Sequence, residues 1–318
     1  MFSDKQSTHG VLKEEYSIPV IMQMRRKLTI RELVNEAKKG NAEAQSDLGY
    51  RYENGDGVKQ SYQEAAKWYT LAAEQGENNA QNNLATMYEW GNGVEIDFKK
   101  ALELYTKSAE QGNPNAQFNL ANMYLRGAGT EINNEEAFKW NLKASEQGHP
   151  LAMCNLGAAY DGGYGVEKNY DEAFKWTKLS AANNTPVAQY NLGMMYLCGR
   201  GTEVSVPDAV KYLKLSANQR CGFALFEMGR LHTEGIGVEK DDKAAQRYFR
   251  MASQQNVLEE CEFGADAGQY ADQFYMGWMY EHGVYVERDL AKAEEYYSRA
   301  AEQGFDLAQE ALDMLKMD

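Results

Sequence analysis

Hydrophobic and polar positions recur along this chain with a period of 36 residues. The pattern opens on an alanine at Ala44 and repeats every 36 residues through Ala224. It returns 48 residues later at Asp272, which indicates 12 inserted residues, and resumes at Ala308. Self-similarity with a period of about 20–50 residues is typical of solenoid proteins, so the sequence predicts a repeat array. The opening alanines of the six regular copies are Ala44, Ala80, Ala116, Ala152, Ala188 and Ala224.

One copy of the pattern predicts a helical hairpin. Ala44, Leu48 and Tyr52 stand at i, i+4 and i+8, which places them on one stripe of an amphipathic helix. The Gly55-Asp-Gly57 sequence then supplies the left-handed conformations that a tight connection needs. Ser61 is a preferred N-cap for a second helix, which Gly76 ends. N-cap residue types recur at the place of Ser61, as Asp97, Asn133, Asn169, Ser205, Asp241 and Asp289.

The repeating unit resembles the Sel1-like repeat, a relative of the tetratricopeptide repeat. The resemblance rests on the opening alanine, Leu48-Gly49, Tyr52, the Gly-x-Gly-Val loop and the Ala-Ala-Glu-Gln-Gly ending. The resemblance implies an all-α fold, a right-handed α-solenoid superhelix of seven 36-residue helical hairpins with helical caps. It also implies binding to other macromolecules. Proteins with such repeats are widespread in bacteria, as signalling adaptors, as factors that contact host or envelope proteins and as partners that neutralise toxins.

The pattern divides the chain into four parts. They are a non-repeat arm at 1–27, an N-terminal capping helix within 28–43, seven repeats at 44–307 and a C-terminal capping helix at 308–318. Thr29 and Glu32 predict a capping box for the first helix. The arm is interpreted either as a docking segment or as a lead-in that covers the first hairpin.

The inserted residues near 254–267 extend the sixth repeat. Val257, Leu258 and Cys261 predict that its second helix continues to about Phe263 and ends at Gly264. A lengthened helix would project as a ledge beyond its neighbours. The sequence leaves open whether this ledge has a function or is a tolerated insertion, although insertions in one repeat are often binding features.

Charge narrows the range of partners. The chain has 33 basic and 47 acidic residues, a net charge of −14, which argues against binding to nucleic acid and to anionic membrane surfaces. It fits plain solubility or a basic partner. The sequence has no apolar run of about 20 residues and no apolar core of a signal peptide near Met1. Its four cysteines do not recur in phase, so we expect a cytoplasmic protein, or a periplasmic or secreted one if a leader has been removed.

Catalytic motifs do not emerge from the sequence. The Gly-x-Gly loops follow helices and recur in every copy, unlike a phosphate-binding loop, which follows a strand and precedes a helix. Four scattered histidines have no cysteine or carboxylate partner at the spacing of metal ligands. We therefore expect no enzyme activity, no cofactor and no metal site.

The first helix of each hairpin carries the candidate binding residues. Positions 2, 6 and 9 after the opening alanine point away from the core stripe, and by resemblance to tetratricopeptide arrays they face a concave groove. These positions are mainly polar in the first two units, and apolar and aromatic residues accumulate at them in later units. The predicted protein-binding residues are Phe118, Asn122, Tyr190, Met194, Leu197, Phe226, Arg230, Phe274 and Trp278.

Aromatic residues and arginine are frequent in binding hot spots, so we expect these side chains to be exposed and to bind a protein or an extended peptide. The polar first half would set the register and the apolar second half would anchor the partner. Replacing Tyr190, Phe226 or Trp278 by alanine would then leave the Tm nearly unchanged. Two alternatives remain: tight curvature packs position 2 between neighbouring first helices, or the aromatics stack on a small molecule or glycan.

Overall fold

A computed structural model describes residues 28–317, so the arm predicted at 1–27 lies outside the described residues, as does residue 318. The described chain consists of 17 α-helices and contains no strand. The first six helices are α1 (Ile30–Lys38), α2 (Ala42–Asn54), α3 (Tyr62–Glu74), α4 (Asn78–Trp90), α5 (Phe98–Glu110) and α6 (Pro114–Arg126). The next six are α7 (Asn134–Glu146), α8 (Pro150–Gly162), α9 (Tyr170–Ala182), α10 (Pro186–Cys198), α11 (Val206–Asn218) and α12 (Gly222–Glu234). The last five are α13 (Asp242–Ser253), α14 (Val257–Asp266), α15 (Tyr270–His282), α16 (Leu290–Ala301) and α17 (Asp306–Leu315).

Seven helical hairpins stack into an α-solenoid, as the sequence predicted. Each helix packs mainly against the helices before and after it in the chain. The hairpins are formed by α2 with α3, α4 with α5, α6 with α7, α8 with α9, α10 with α11, α12 with α13, and α15 with α16. Helix α1 packs on α2 at one end and α17 packs on α16 at the other. Thr29 and Glu32 form the predicted capping box at the start of α1.

Glycines in the loops determine how closely neighbouring hairpins approach. The C-cap Gly91 of α4 adopts φ 72°, in the left-handed region that favours glycine. Gly93 has φ 74°, and a Cβ atom built there would lie 2.4 Å from the backbone carbonyl carbon of Tyr62 in the preceding hairpin. Gly93 is therefore required both by its conformation and by the close approach of the two hairpins.

Paired glutamines connect several of the first helices to second helices. Gln81 donates from Nε2 to the Ala73 carbonyl of the preceding hairpin at 3.3 Å, and Gln111 Nε2 donates to Gln81 Oε1 at 2.7 Å. The buried amide of Gln81 is thus satisfied from both sides. The signal for this pairing in the sequence, which was missed, is the glutamine that directly follows four of the six opening alanines. Equivalent pairs are Gln75–Gln45, Gln147–Gln117 and Gln219–Gln189.

The inserted residues form a separate helix, so the predicted continuation of the second helix to Phe263 is wrong. Asn256 adopts a left-handed conformation with φ 56°, which ends the helical path after α13 and redirects the chain into α14. Gly264 lies inside α14 and is buried, and so it does not end the helix. Helix α14 packs against α15 and also contacts α12 and α13. Phe263 is 79% exposed on its outer side.

First helices that are far apart in sequence meet on the inner side of the array. Tyr270 at the start of α15 accepts a hydrogen bond from Arg200 at 2.8 Å. Its hydroxyl also donates to Asp161 of α8 at 3.1 Å. Contacts between hairpins that are not neighbours form where an array is most strongly curved, so the first helices line the concave face. The last hairpins consequently close against the fourth and fifth.

Candidate protein-binding groove

The concave face is closed over its C-terminal half. Phe226, Phe274 and Trp278 are 0%, 3% and 2% exposed, and Arg230 is 6% exposed. The prediction that these four side chains face solvent is therefore wrong. The alternative prediction of aromatic packing between neighbouring first helices applies to Phe226, whose ring lies edge-on to Trp278 with centroids 5.5 Å apart. We therefore expect Phe226→Ala and Trp278→Ala to lower the Tm.

Arg230 is held inside this closed half by two carboxylates. Its Nε lies 3.1 Å from both oxygens of the fully buried Glu227, and its Nη1 donates to Glu234 at 2.6 Å. Trp278 Nε1 donates to the other oxygen of Glu234 at 2.6 Å. A buried guanidinium requires such pairing, since an unpaired buried charge is strongly destabilising. Arg230 thus has a structural environment that a binding partner cannot reach.

Tyr190, Met194 and Leu197 are half-buried at the boundary of the closed half. The first two line a cavity of about 270 Å³ between α8, α10 and α15, which we call the closed cavity. Its wall also includes Asp161, Cys198, Arg200 and Asp272. Leu197 packs against the hydrophobic core of the last hairpins.

Among the ionisable groups that line the closed cavity, Cys198 and Asp272 have pKa values above their ordinary ones. Burial raises the pKa of the Cys198 thiol to about 11, which keeps it protonated and unreactive at neutral pH. Burial, and secondarily the nearby Glu260, raises the pKa of Asp272 to about 6. Asp272 occupies the position of the opening alanine, and a Cβ at Gly264 would lie 1.9 Å from its Oδ2. The carboxyl group thus fits only because position 264 has no side chain.

Phe118 and Asn122 line a groove that is open to solvent. The groove has a volume of about 390 Å³ and lies between α4 and α6; we call it the open groove. Its apolar wall includes Trp90 and Leu125, which are 62% and 37% exposed. Phe118 stacks on His149 with ring centroids 4.6 Å apart. Burial lowers the pKa of His149, so its ring is neutral at pH 7, and its Nδ1 accepts from the Ala152 N–H as the N-cap of α8.

Hydrogen bonds fix the polar floor of the open groove. Tyr105 donates to Glu89 at 2.8 Å, and Arg126 pairs with the other oxygen of this carboxylate. Glu53 and Glu281 accept from Tyr69 and Tyr297 in the same way, at 2.7 and 2.6 Å. The three glutamates stand at position 9 of their hairpins, and helical phase alone does not reveal their tyrosine partners. The glutamates act as fixed acceptors within their hairpins.

A second groove, about 480 Å³ in volume, continues the open groove toward the N-terminus. Its lining includes Glu43, Asp47 and Glu77, and among residues 28–317 no lysine or arginine lines it, so we call it the acidic groove. Tyr50, at its edge, is 52% exposed. Asn119 of the open groove donates from Nδ2 to Asn82 Oδ1 of the acidic groove at 3.1 Å, so the two grooves adjoin.

Neither groove has the composition of a metal site. Across residues 28–317, histidine, cysteine, aspartate and glutamate side chains form no group of three or more that could hold a metal ion. All four cysteines are free. None of the helices in the described part of the chain is both long enough and apolar enough to span a membrane.

Comparison with known proteins places the fold in a family. The chain is 30% identical to c5321, a protective antigen present in uropathogenic Escherichia coli strains that displays an SLR fold. The TM-score is 0.64, and the match covers 90% of this chain but only 59% of that one. A Sel1 repeat protein from Oxalobacter formigenes is 31% identical over 70% of this chain and 89% of its own, with a TM-score of 0.66. Immunity protein Pa5087 from Pseudomonas aeruginosa is 25% identical over 67% of this chain and 81% of its own, with a TM-score of 0.44.

No curated protein matches the chain. The Sel1 repeat family model matches it at 42–77, 78–113, 114–149, 150–184, 186–221, 222–257 and 271–305. These matches cover most of the sequence and follow the seven hairpins. The chain belongs to the Sel1 repeat family.

Proposed function

We propose that this protein is a non-catalytic scaffold that binds a partner protein, or an extended segment of one, in the open groove and the acidic groove. Sel1 repeat proteins generally mediate protein–protein interactions. The observation that carries the proposal is the exposed apolar wall of the open groove beside polar groups held in place by hydrogen bonds. Trp90 and Leu125 provide the apolar contact, and such partly exposed aromatic side chains are typical of binding hot spots.

The proposed contact surface lies in the first three hairpins, whereas the sequence pattern predicts the apolar anchors in the later ones. Phe118 and Asn122 keep their proposed binding role because both line the open groove. Tyr190 and Met194 line the closed cavity instead. The alternative of a glycan stacked on Tyr190, Phe226 and Trp278 is less well supported, because the second and third of these rings are buried.

Site-specific photocrosslinking tests the proposal. A photoreactive residue at Leu125 would report contacts in the open groove, and the same residue at Leu71 of α3, 44% exposed, is the matched control on a second helix. In a lysate of the source organism we expect a discrete protein adduct from position 125 and none from position 71. Trp90→Ala should reduce the yield of this adduct. Equal adducts from both positions would show that the groove is not the binding surface.

A further inference from the structure

An asparagine row follows the concave face of the first helices. Asparagine occupies the third position after the opening alanine in four successive hairpins, as Asn83, Asn119, Asn155 and Asn191. Members of the row line each of the three concavities: Asn83 the acidic groove, Asn119 the open groove and Asn191 the closed cavity. The row therefore presents primary amides along the path that an extended partner would take.

Two amides in the open groove retain unused hydrogen-bonding atoms. Asn119 uses its Nδ2 to donate to Asn82, and Asn122 uses its Oδ1 to accept from Asn155 at 3.2 Å. In the described part of the chain, Asn119 Oδ1 and Asn122 Nδ2 have no hydrogen-bond partner. The first is an acceptor and the second a donor, and their residues are one turn apart on α6, where side chains are neighbours.

This acceptor and donor match one residue of an extended peptide. In a β-strand, the N–H and C=O of a single residue point to the same edge, where a partner strand would exchange both hydrogen bonds with it. Asn119 Oδ1 can accept from such an N–H while Asn122 Nδ2 donates to the C=O. The asparagine partners fix the orientation of both amides, which reduces the entropic cost of binding.

The acidic groove adds a charge preference. Glu77 caps α4 by accepting from the Ala80 N–H at 2.6 Å, and Asp47 lies 3.4 Å from Arg51 Nε. Both groups are carboxylates, Glu43 adds a third, and none of the described residues that line this groove is basic. Electrostatic complementarity between such a surface and a positively charged segment determines partner choice and association rate.

We infer that the two adjoining grooves bind an extended segment rich in lysine or arginine, whose backbone pairs with Asn119 and Asn122 and whose basic side chains enter the acidic groove. This inference rests on the proposed function, because it specifies what kind of segment the grooves take. It separates the two contributions: the asparagines hold the backbone of any sequence, and the carboxylates select the charge.

Synthetic peptides test both contributions. The probe is a fluorescein-labelled peptide of alternating alanine and lysine, about twelve residues long so that it spans roughly 40 Å when extended. Fluorescence anisotropy measures its affinity for the full chain at low ionic strength. We expect it to bind at least about tenfold more tightly than the alternating alanine and glutamate peptide, and more weakly as salt screens the charges.

Backbone recognition is tested on the peptide and not on the protein, which avoids any variant that fails to fold. N-methylation of alternate residues removes the N–H groups along one edge only. We expect methylation in one register to weaken binding about tenfold and methylation in the other register to have little effect. Equal effects in both registers would overturn the pairing with Asn119 and Asn122.

Charge selection is tested with the double variant Glu43→Gln and Asp47→Asn. It should weaken binding of the lysine peptide about tenfold. The matched variant is Glu167→Gln with Asp171→Asn, which removes the same charge at exposed sites in the loop before α9 and at the start of α9. This matched variant should change binding less than about twofold. Equal effects of the two variants, or equal binding of lysine and glutamate peptides, would overturn the inference. If no peptide binds but the crosslink at position 125 forms, the inference fails while the proposed function stands.

Discussion

The hydroxyl of Tyr190 in α10 lies 2.6 Å from the hydroxyl of Tyr275 in α15, although 85 residues separate them in sequence. Tyr275 also lies 3.7 Å from the Met194 sulfur. Two further rings, Phe223 and Phe226, pack against Tyr275. The pair of hydroxyls thus marks the point at which the curved array closes on itself.

We expect Tyr275→Phe to lower the free energy of unfolding by about 1–2 kcal/mol, because the Tyr190 hydroxyl would lose its hydrogen-bond partner in a closely packed site. Urea unfolding measures the change. Tyr164→Phe is the control, since Tyr164 is 47% exposed and its change should be within about 0.5 kcal/mol. Equal midpoints for the two variants would show that the hydroxyl pair does not stabilise the closure.

The buried ion pair of Glu227 and Arg230 gives a second prediction. Arg230→Met should destabilise the protein by about 3–5 kcal/mol, because Glu227 would remain buried without its partner. Adding Glu227→Leu should recover part of this loss, since the double variant leaves no uncompensated charge at position 227. A double-mutant cycle in guanidinium chloride measures the coupling energy.

The control for the ion pair is a surface pair of the same type. Lys107 and Glu103 are 53% and 63% exposed, so Lys107→Met should cost less than about 1 kcal/mol. If Arg230→Met were as mild as Lys107→Met, or if the double variant were less stable than the single one, the pair would not be buried as described.

The sequence was sufficient to predict the hairpins because each is determined locally. Gly91 and Gly93 mark a turn and Asp97 caps the helix that follows it, wherever the hairpin lies in the array. The break at Asn256 was missed, because asparagine adopts both helical and left-handed conformations and only the packing of α14 selects one.

The candidate site was predictable only in part. Helical phase predicts Phe118 and Asn122 on the inner side of α6, and in the structure both side chains line the open groove. The same phase applied to Phe226 and Trp278, which are buried because their rings pack against each other and against Phe249 where α15 meets α12 and α13. Closure depends on the cumulative curvature of several hairpins, and no single repeat encodes it. The polar partners of Asn119 and Asn122 lie on neighbouring first helices, so they too emerge only from the packed array.

Asp272 makes stability depend on pH. Its pKa is raised from 3.8 to about 6, so between these values the folded state holds a proton that the unfolded state has released. The stability that this group contributes is therefore lost as the pH rises from about 4 through 6. At pH 7 the ionised carboxylate lowers the free energy of unfolding by about 1–2 kcal/mol, less than the full pKa shift implies, because solvent partly screens the charge.

The variant Asp272→Ala, which restores the alanine of the other hairpins, should recover this amount at pH 7 and almost none at pH 4. Urea midpoints at the two pH values, compared with those of the natural chain, measure the difference. The control Glu146→Ala removes an exposed carboxylate of α7 and should show the same small effect at both values. A gain that is equal at pH 4 and pH 7 would mean that packing and not ionisation limits stability here.

Gly112 and Gly93 both have left-handed backbone conformations, and comparing their alanine variants distinguishes backbone strain from a steric clash. Gly112 has φ 90° and no atom within 4 Å of a Cβ built on it, whereas a Cβ at Gly93 would collide with the Tyr62 backbone. Gly112→Ala should therefore cost only the left-handed penalty of about 1–2 kcal/mol, and Gly93→Ala about 3 kcal/mol or more. Thermal and urea unfolding of both variants measure these costs, and equal losses would contradict the close approach of hairpins at Gly93.

The seventh hairpin carries a tyrosine at the position of Gly93, and this exception sharpens the prediction. Tyr285 has φ 65° and donates from its hydroxyl to the Phe249 carbonyl, while its ring packs against Phe226 and Phe249. Here α14 is inserted between the sixth and seventh hairpins, and the ring fills space that does not exist at Gly93. Tyr285→Gly should thus destabilise the protein by about 2–4 kcal/mol, even though it relieves the left-handed strain. If Tyr285→Gly instead raised the urea midpoint, backbone strain would outweigh packing at this position, and the ring could not be a structural part of the closed half.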